Sequence, residues 1–410
     1  MKFISIFISL LLSGVFSLHV HAADIVKLSE LPVWLQEAAA REKKVKKKTT
    51  LKIKPLNVKK KVLGKLKLKE KGDGFWYYQI GIGTETPVEC YVFSEFDGPA
   101  NSLHGVVETS LTTIAKLTKK PLADKFNYAI DVGVVGNTPY LLFDTLYVLG
   151  EGDKKVTGVL KALSAKTNET LQICLHNEVG YRETFLKVFK SFVGAFLKNN
   201  DDSVFFESTH KLIYNDIPVG YGQEIYSTDK DGDIMIQSDM AFILPVDASS
   251  LSRSDSVSLF WSSPDGSLIN GAKNSIENSV LSSSFTIQLQ DEKWQVKGEL
   301  QGKAVEAVLD HTAPLLSSFG SYLEVKRLSN SDQNSAEFYM WSELDPTSAQ
   351  KISVSKISGN PKANFKTDMG PIVMTFMVEN NGIFREGTLE LGALNLNMEL
   401  IHVYGEPTLP

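Results

Sequence analysis

The texture of residues 209–410 constrains the fold more than any other feature of the chain. Short period-two alternations, such as Phe285-Thr286-Ile287-Gln288-Leu289-Gln290 and Leu389-Glu390-Leu391, are cut by explicit turn signals at Asp231-Gly232, Pro264-Asp265-Gly266, Asn270-Gly271, Asn330-Ser331 and Asn381-Gly382. Runs at 210–227, 233–245, 256–262, 281–290, 294–300, 303–309, 321–328, 335–341, 351–357, 371–378, 383–391 and 394–404 all read as strands, with no long helical stripe between them. Alternating strands have one apolar face, which must be buried against another sheet or by closure. The expectation is an all-β domain, either a sandwich or an open half-barrel.

Residues 72–208 read differently. Strand-like runs at 75–80, 88–93, 126–135, 139–149, 155–165 and 169–176 are joined by two helical patterns, at 105–118 and 181–198. In the second, Phe185, Val188, Phe189, Phe192, Val193 and Phe196 recur at helical spacing, a stripe that must lie on something apolar. The expected class is therefore α+β: N-terminal helices on an antiparallel sheet, followed by the all-β domain. Lys198-Asn199-Asn200-Asp201-Asp202-Ser203 breaks the stripe and marks the approach to a boundary near 208.

Charge is unevenly spread. Residues 41–71 hold Arg41 and fourteen lysines against Glu42 and Glu70, a net of +13, whereas 72–410 hold 26 Lys and Arg against 43 Asp and Glu, a net of −17. Residues 23–71 thus form a basic arm on an acidic body. Leu51-Lys52-Ile53-Lys54 and Lys65-Leu66-Lys67-Leu68-Lys69 alternate with period two, which fits extended structure. Such an arm is a flexible linker or lysine-guarded edge strand, a strap on the acidic body, or an attachment to an anionic envelope surface. In the last reading Lys46, Lys47, Lys48, Lys59, Lys60 and Lys61 are the contact residues. The arm holds few contiguous apolar residues, so its removal is expected to leave both globular parts folded.

Residues 1–22 have the form of a secretory signal: Lys2, an apolar stretch from Phe3 to Leu18, and small residues at Val20-His21-Ala22, with cleavage expected after Ala22. No later stretch approaches the roughly 20 apolar residues that a membrane span needs. The mature chain is expected to be periplasmic or secreted, without a transmembrane segment. In an oxidising compartment Cys90 and Cys174 are either one disulfide or two buried thiols.

Two resemblances follow from particular segments. The strand Glu89-Cys90-Tyr91-Val92, with the stretch from Cys174 through His176, Glu178, Tyr181 and Arg182 to Phe185, resembles the PsbP-like and DcrB-like modules of exported proteins; this implies an accessory role without catalytic residues. The hairpin from Leu212 through Pro218 and Gly222 to Glu224 resembles the entry hairpin of periplasmic half-barrels such as lipoprotein carriers, which hold acyl chains on a concave face. That implies a cavity lined by Trp261, Trp294, Trp341 and Phe376 for an apolar, lipid-like ligand; the alternative is that these rings fill the barrel.

Signatures of known chemistry are missing: no Gly-x-Ser-x-Gly elbow, no phosphate-binding loop, no His-Glu-x-x-His and no dinucleotide fingerprint. Neither cofactor nor metal is expected, and no nucleic-acid partner. Asp229-Lys230-Asp231-Gly232-Asp233 opens like a calcium loop, but Ile234 and Met240 stand where glycine and glutamate are required, so it reads as a turn. Asp310-His311-Thr312 lacks a nucleophile. Around His176, Glu178, Tyr181 and Arg182 a helix start either binds an anion or is capped by its own neighbours. The leading expectation is a non-catalytic, envelope-associated binding protein; the alternatives are a hydrolase without a recognised motif and a structural assembly factor acting by strand addition.

Overall fold

The computed structural model describes residues 25–94, 103–167, 170–197, 203–245, 251–278, 280–311, 314–342, 345–392 and 394–409. The segment expected to be a signal peptide lies outside them. The described residues are mostly antiparallel β-structure, with four α-helices. No helix among them is long and apolar enough to cross a membrane. The chain divides into two compact units: one gathers residues up to Asp131 with Tyr140–Leu197 and Ile243–Arg253, the other Val132–Pro139, Lys198–Phe242 and Ser254 onward.

The first unit contains α1 (Val33–Ala39), β1 (Lys48–Ile53), β2 (Val58–Leu63), β3 (Lys65–Gly72), β4 (Phe75–Gly81), β5 (Val88–Phe93), α2 (Leu103–Thr118), most of β6 (Leu122–Val135) and β7 (Thr138–Leu149), β8 (Val156–Lys166), β9 (Leu171–His176) and α3 (Arg182–Val193). Strands β3 to β9 form a seven-stranded sheet in the order β3-β4-β5-β9-β8-β7-β6. Phe185, Phe189 and Phe192 of α3 are completely buried. Phe192 meets Tyr78 edge-on at 6.1 Å between ring centroids and Phe189 meets Tyr140 at 6.0 Å. Cys90 and Cys174 face each other across β5 and β9 and are joined by a disulfide.

The basic segment is not a separate arm, and the boundary expected at 71 runs through a hairpin: β3 pairs with β4 from Lys65↔Gly81 to Gly72↔Phe75. Upstream, β1 and β2 pair so that Leu51, Ile53, Val58 and Val62 share one face. Leu51 and Val62 are fully buried and Ile53 is 2% exposed. The Leu63 N–H donates to Ser191 Oγ of α3 at 3.0 Å. These apolar residues are scattered in sequence but become neighbours across the hairpin, which is how a lysine-rich segment comes to own a core face. Fully burying each such side chain contributes about 1.5–3 kcal/mol.

The second unit starts earlier than expected, because β10 (Val204–Tyr214) runs across the boundary placed at 208. It continues with β11 (Ile217–Thr228), β12 (Ile234–Pro245, as far as Phe242), β13 (Leu251–Ser262, from Ser254), β14 (Leu268–Glu277), β15 (Val280–Gln290), β16 (Lys293–Leu300), β17 (Lys303–Val308), α4 (Ser318–Ser329), β18 (Ser335–Trp341), β19 (Ala349–Lys356), β20 (Phe365–Met369), β21 (Ile372–Val378), β22 (Phe384–Leu391) and β23 (Leu394–Gly405). All fourteen strands belong to one sheet, ordered from β17 down to β10, then β23 down to β18. Turns at Asn215-Asp216 and Asp291-Glu292 have both residues at positive φ, the conformation that suits two-residue hairpins.

This unit is not all β. The run 321–328, read above as a strand, lies inside α4. Ser317 caps the helix by accepting from the Gly320 N–H at 3.1 Å, and Phe319, Val325 and Leu328 are buried along it. The sheet curls around α4. Phe319 packs with Phe206, Tyr226, Ile234 and Ile236, while Val325 and Leu328 pack with Phe338, Phe365 and Phe376. Trp341 on terminal strand β18 sits with Leu268, Phe285 and Trp294 of β14–β16. The main chain at Leu315 and Leu316 joins the two sides: Leu268 N–H donates to Leu315 O at 2.7 Å, and Leu316 N–H to Tyr339 O at 2.8 Å.

Candidate functional site

The β1–β2 register sorts the lysines. Lys52 lies directly opposite Lys59, Thr50 opposite Lys61, and Lys48 opposite Leu63; side chains alternate, so Lys48, Lys52, Lys59 and Lys61 share the face turned away from the apolar one. All four are exposed, and none forms an ion pair with a described residue. Lys46 and Lys47 precede β1 and are exposed as well. Lys60 belongs elsewhere. It lies on the apolar face, opposite Leu51, and its Nζ donates to Gly194 O at 3.4 Å and Leu197 O at 3.0 Å, just past the end of α3. A cation there complements the negative end of the helix dipole. Lys60 therefore does not share the face of Lys48, Lys59 and Lys61, whereas Lys52 does. Lys52 was visible in the alternation Leu51-Lys52-Ile53.

A second polar assembly lies beneath the start of α3. Asp144, Lys161 and His176 stand in one row across β7, β8 and β9, and all three are buried. Arg182 Nε donates to Asp144 Oδ2 at 3.0 Å, and Lys161 Nζ donates to Glu178 O. Burial pushes the Asp144 carboxyl up while Arg182 and Lys161 oppose the rise. Lys161 is lowered to about 8 by burial against the pull of Asp144 and Glu178, and His176 to about 3 by burial and then by Lys161. The helix start itself is taken. The Glu42 carboxylate accepts from the Glu183 N–H at 2.9 Å, the Thr184 N–H at 2.8 Å and the Thr184 hydroxyl. Lys43 N–H donates to Thr184 Oγ1 at 2.9 Å, and Tyr181 N–H to Arg41 O at 2.6 Å. The helix start is capped, but not by its own neighbours as expected: the cap is Glu42, and Arg182 pairs with Asp144 instead. The cap comes from 141 residues upstream, and nothing local in the sequence signals it.

In the second unit the four expected ligand-lining residues do not converge. Trp294 and Trp341 share one cluster of side chains, at 3% and 8% exposure. Phe376 lies in another, stacked on Phe365 with centroids 5.9 Å apart. Trp261 is half-buried and follows Phe260, which meets Trp341 edge-on at 6.1 Å, so alternation turns Trp261 to the opposite face. The cavity lining is corrected on that basis: Phe376 packs against Val325 and Leu328 of α4, Trp294 and Trp341 pack with Leu268, Phe285 and Leu315, and Trp261 points to the other face of its strand. His311 lies against the Tyr339 ring at 4.4 Å and His210 against Phe384 at 4.6 Å. Asp229 Oδ1 accepts from the N–H groups of Asp231 and Asp233, closing a turn. No group of three or more metal-ligating side chains gathers among the described residues.

No family model and no curated protein matches the chain. Among solved structures it is similar to a β-barrel-like protein of a domain of unknown function, DUF1849, from Brucella abortus, with 12% identity and a TM-score of 0.40 over 49% of this chain and 97% of that one.

Proposed function

We propose that the chain is an exported, non-catalytic binding protein of the cell envelope that rests on an anionic surface through the lysine face of its β1–β2 hairpin. The observation that carries this reading is the direct opposition of Lys52 and Lys59, with Lys48 and Lys61 beside them and no carboxylate paired to any of the four. Like charges set opposite across strands are destabilising, so the arrangement calls for an external anion. Each lysine near an anionic lipid surface contributes about 1 kcal/mol, so four supply about 4 kcal/mol. The chain as a whole carries a net charge of −5, so attraction has to come from a local face. Export is supported by the Cys90–Cys174 disulfide, which belongs in an oxidising compartment. The resemblance to accessory PsbP-like and DcrB-like modules points the same way. A non-catalytic role is supported by the sealing of Asp144, Lys161 and His176, which are 0–1% exposed.

Co-sedimentation with phosphatidylglycerol vesicles, against phosphatidylcholine vesicles, tests the reading. Binding to the anionic vesicles alone is expected, falling steeply with salt because exposed charges are screened within about 8 Å at physiological ionic strength. Equal sedimentation with both vesicle types rejects it.

A further inference from the structure

The face of the seven-stranded sheet opposite α3 carries a second feature that the lysine hairpin does not touch. Register places side chains in rows across β3, β4 and β5: Lys67, Gln79 and Glu89 in one, and Glu70, Tyr77 and Tyr91 in the next. The alternate residues Tyr78 and Cys90 point to the α3 side and are buried, whereas Tyr77, Gln79, Glu89 and Tyr91 are only half-buried. Tyr77 and Tyr91 stack with centroids 4.8 Å apart and planes within 7°. One face of Tyr77 is therefore covered by Tyr91, and the other turns toward edge strand β3. Beyond them Phe75 extends the aromatic surface, 6.3 Å from Tyr91.

The polar row beside these rings is organised. Tyr77 OH donates to Glu89 Oε1 at 2.6 Å, and Gln79 Nε2 donates to the Tyr77 oxygen at 3.0 Å and to Glu89 Oε1 at 3.2 Å. Glu89 Oε2 accepts only a long bond, 3.4 Å, from Tyr91 OH, which leaves acceptor capacity open at the rim. Lys67 and Glu70 are exposed and form no ion pair with a described residue. Burial and the neighbouring Glu89 carboxylate raise both phenols above their usual range, so they remain donors.

We propose that this surface is a saccharide-binding subsite for an uncharged pyranose oligosaccharide, of hexose or N-acetylhexosamine units. The pyranose C–H face stacks on the open face of Tyr77, and the ring hydroxyls meet Glu89, Gln79 and Lys67. The chemistry selects this occupant over others. A purely apolar partner would cover the Glu89 Oε2 atom, which holds only a long bond, together with the exposed charges of Lys67 and Glu70, which is costly. Charges of both signs border the rings, Lys65, Lys67 and Lys69 against Glu70 and Glu89, so the rings and not a field of one sign define the occupant. A sugar offers both complements: weakly positive C–H groups for the electron-rich ring face, and hydroxyls that donate and accept along one edge.

The test is saturation-transfer NMR and calorimetry on the full chain with two probes, cellotetraose and the tetramer of N-acetylglucosamine, and with indole-3-acetate as a planar aromatic control. At least one oligosaccharide is expected to bind in the micromolar to millimolar range. Tyr77→Ala should weaken it about tenfold or more, and Tyr77→Phe, which keeps the ring, should weaken it far less. Tyr77 is half-buried, and unchanged thermal unfolding of both variants establishes that they are folded. Absence of binding by either sugar at millimolar concentration, equal binding by the wild type and Tyr77→Ala, or binding of indole-3-acetate in place of the sugars would overturn the proposal. Vesicle sedimentation of Tyr77→Ala should match the wild type, which keeps this outcome separate from the lysine-face reading.

Discussion

Reversing one charge on the hairpin separates docking from folding. Lys59 lies directly opposite Lys52, both exposed. Lys59→Glu turns a repulsive cross-strand pair into an attractive one, and such pairs differ by about 0.2–1 kcal/mol each way. The variant should therefore unfold at slightly higher urea than the wild type. Toward an anionic vesicle the same change removes one attraction and adds one repulsion, about 2 kcal/mol in all, or roughly thirtyfold in partitioning at low salt. Lys60→Gln should show the reverse pattern. It removes the cation donating to Gly194 O and Leu197 O, so stability should fall by about 0.3–1 kcal/mol while vesicle binding stays unchanged. Urea unfolding and co-sedimentation of the same preparations measure both quantities. If Lys59→Glu binds as well as the wild type, or Lys60→Gln loses binding, the assignment of faces from the register is wrong.

Three further outcomes follow from the first unit. Phe192→Ala removes a completely buried ring that touches Tyr78 and Phe196, and should cost about 3–5 kcal/mol by urea unfolding; an unchanged midpoint would mean the stripe is not core. Replacing Cys90 and Cys174 together by Ala opens a loop spanning 84 residues and should cost about 4–5 kcal/mol in the chain-entropy account, and reductant should then no longer shift the melting temperature. His176 is held neutral down to about 3 by burial and then by Lys161, while the unfolded chain takes up that proton near 6.5, so stability present at neutral pH is lost as pH falls through this window. Between pH 6.5 and 4.5 the loss is about 2–3 kcal/mol from this site, and His176→Phe should flatten the decline by that amount; a slope equal to the wild type refutes it.

Local patterns carried much of this architecture, and long-range pairing carried the remainder. The turn at Asp231-Gly232 was readable because it sits between alternating runs, and the phenylalanine stripe of α3 because its period is unambiguous; the turn at Asn215-Asp216 lay hidden inside the run 210–227, and Asn270-Gly271, read as a turn, lies within β14. By contrast, Leu323, Val325 and Leu328 fit a strand or a helix over so short a window, and the cap at Ser317 decides between them. The lysine face was half-legible. Alternation separates Lys59 and Lys61 from Lys60, yet only the pairing with β1 shows that Lys52 joins them. The latch of Glu42 on α3 depends on two segments meeting 141 residues apart, which no composition or period encodes. Trp294, Trp341 and Phe376, expected to line a cavity, are buried, but which rings share a cluster depends on how the sheet curls, and Trp261 lost its place through the phase of its strand.

The order of the fourteen-stranded sheet also bears on when the second unit can finish folding. Nearly every pairing joins consecutive strands, so hairpins zip outward with short loops. The exception is the central seam, where β10 pairs with β23 and Phe206 meets Gly405. Closing that seam bears the entropy of the whole intervening loop, which grows with its length and slows assembly. Until residues 394–405 have been made and delivered, β10 presents a bare hydrogen-bonding edge in the middle of the future sheet, open to any other extended segment. A chain emerging from a ribosome would hold that edge unsatisfied until its last strand arrives, so local strand propensity alone cannot complete this unit.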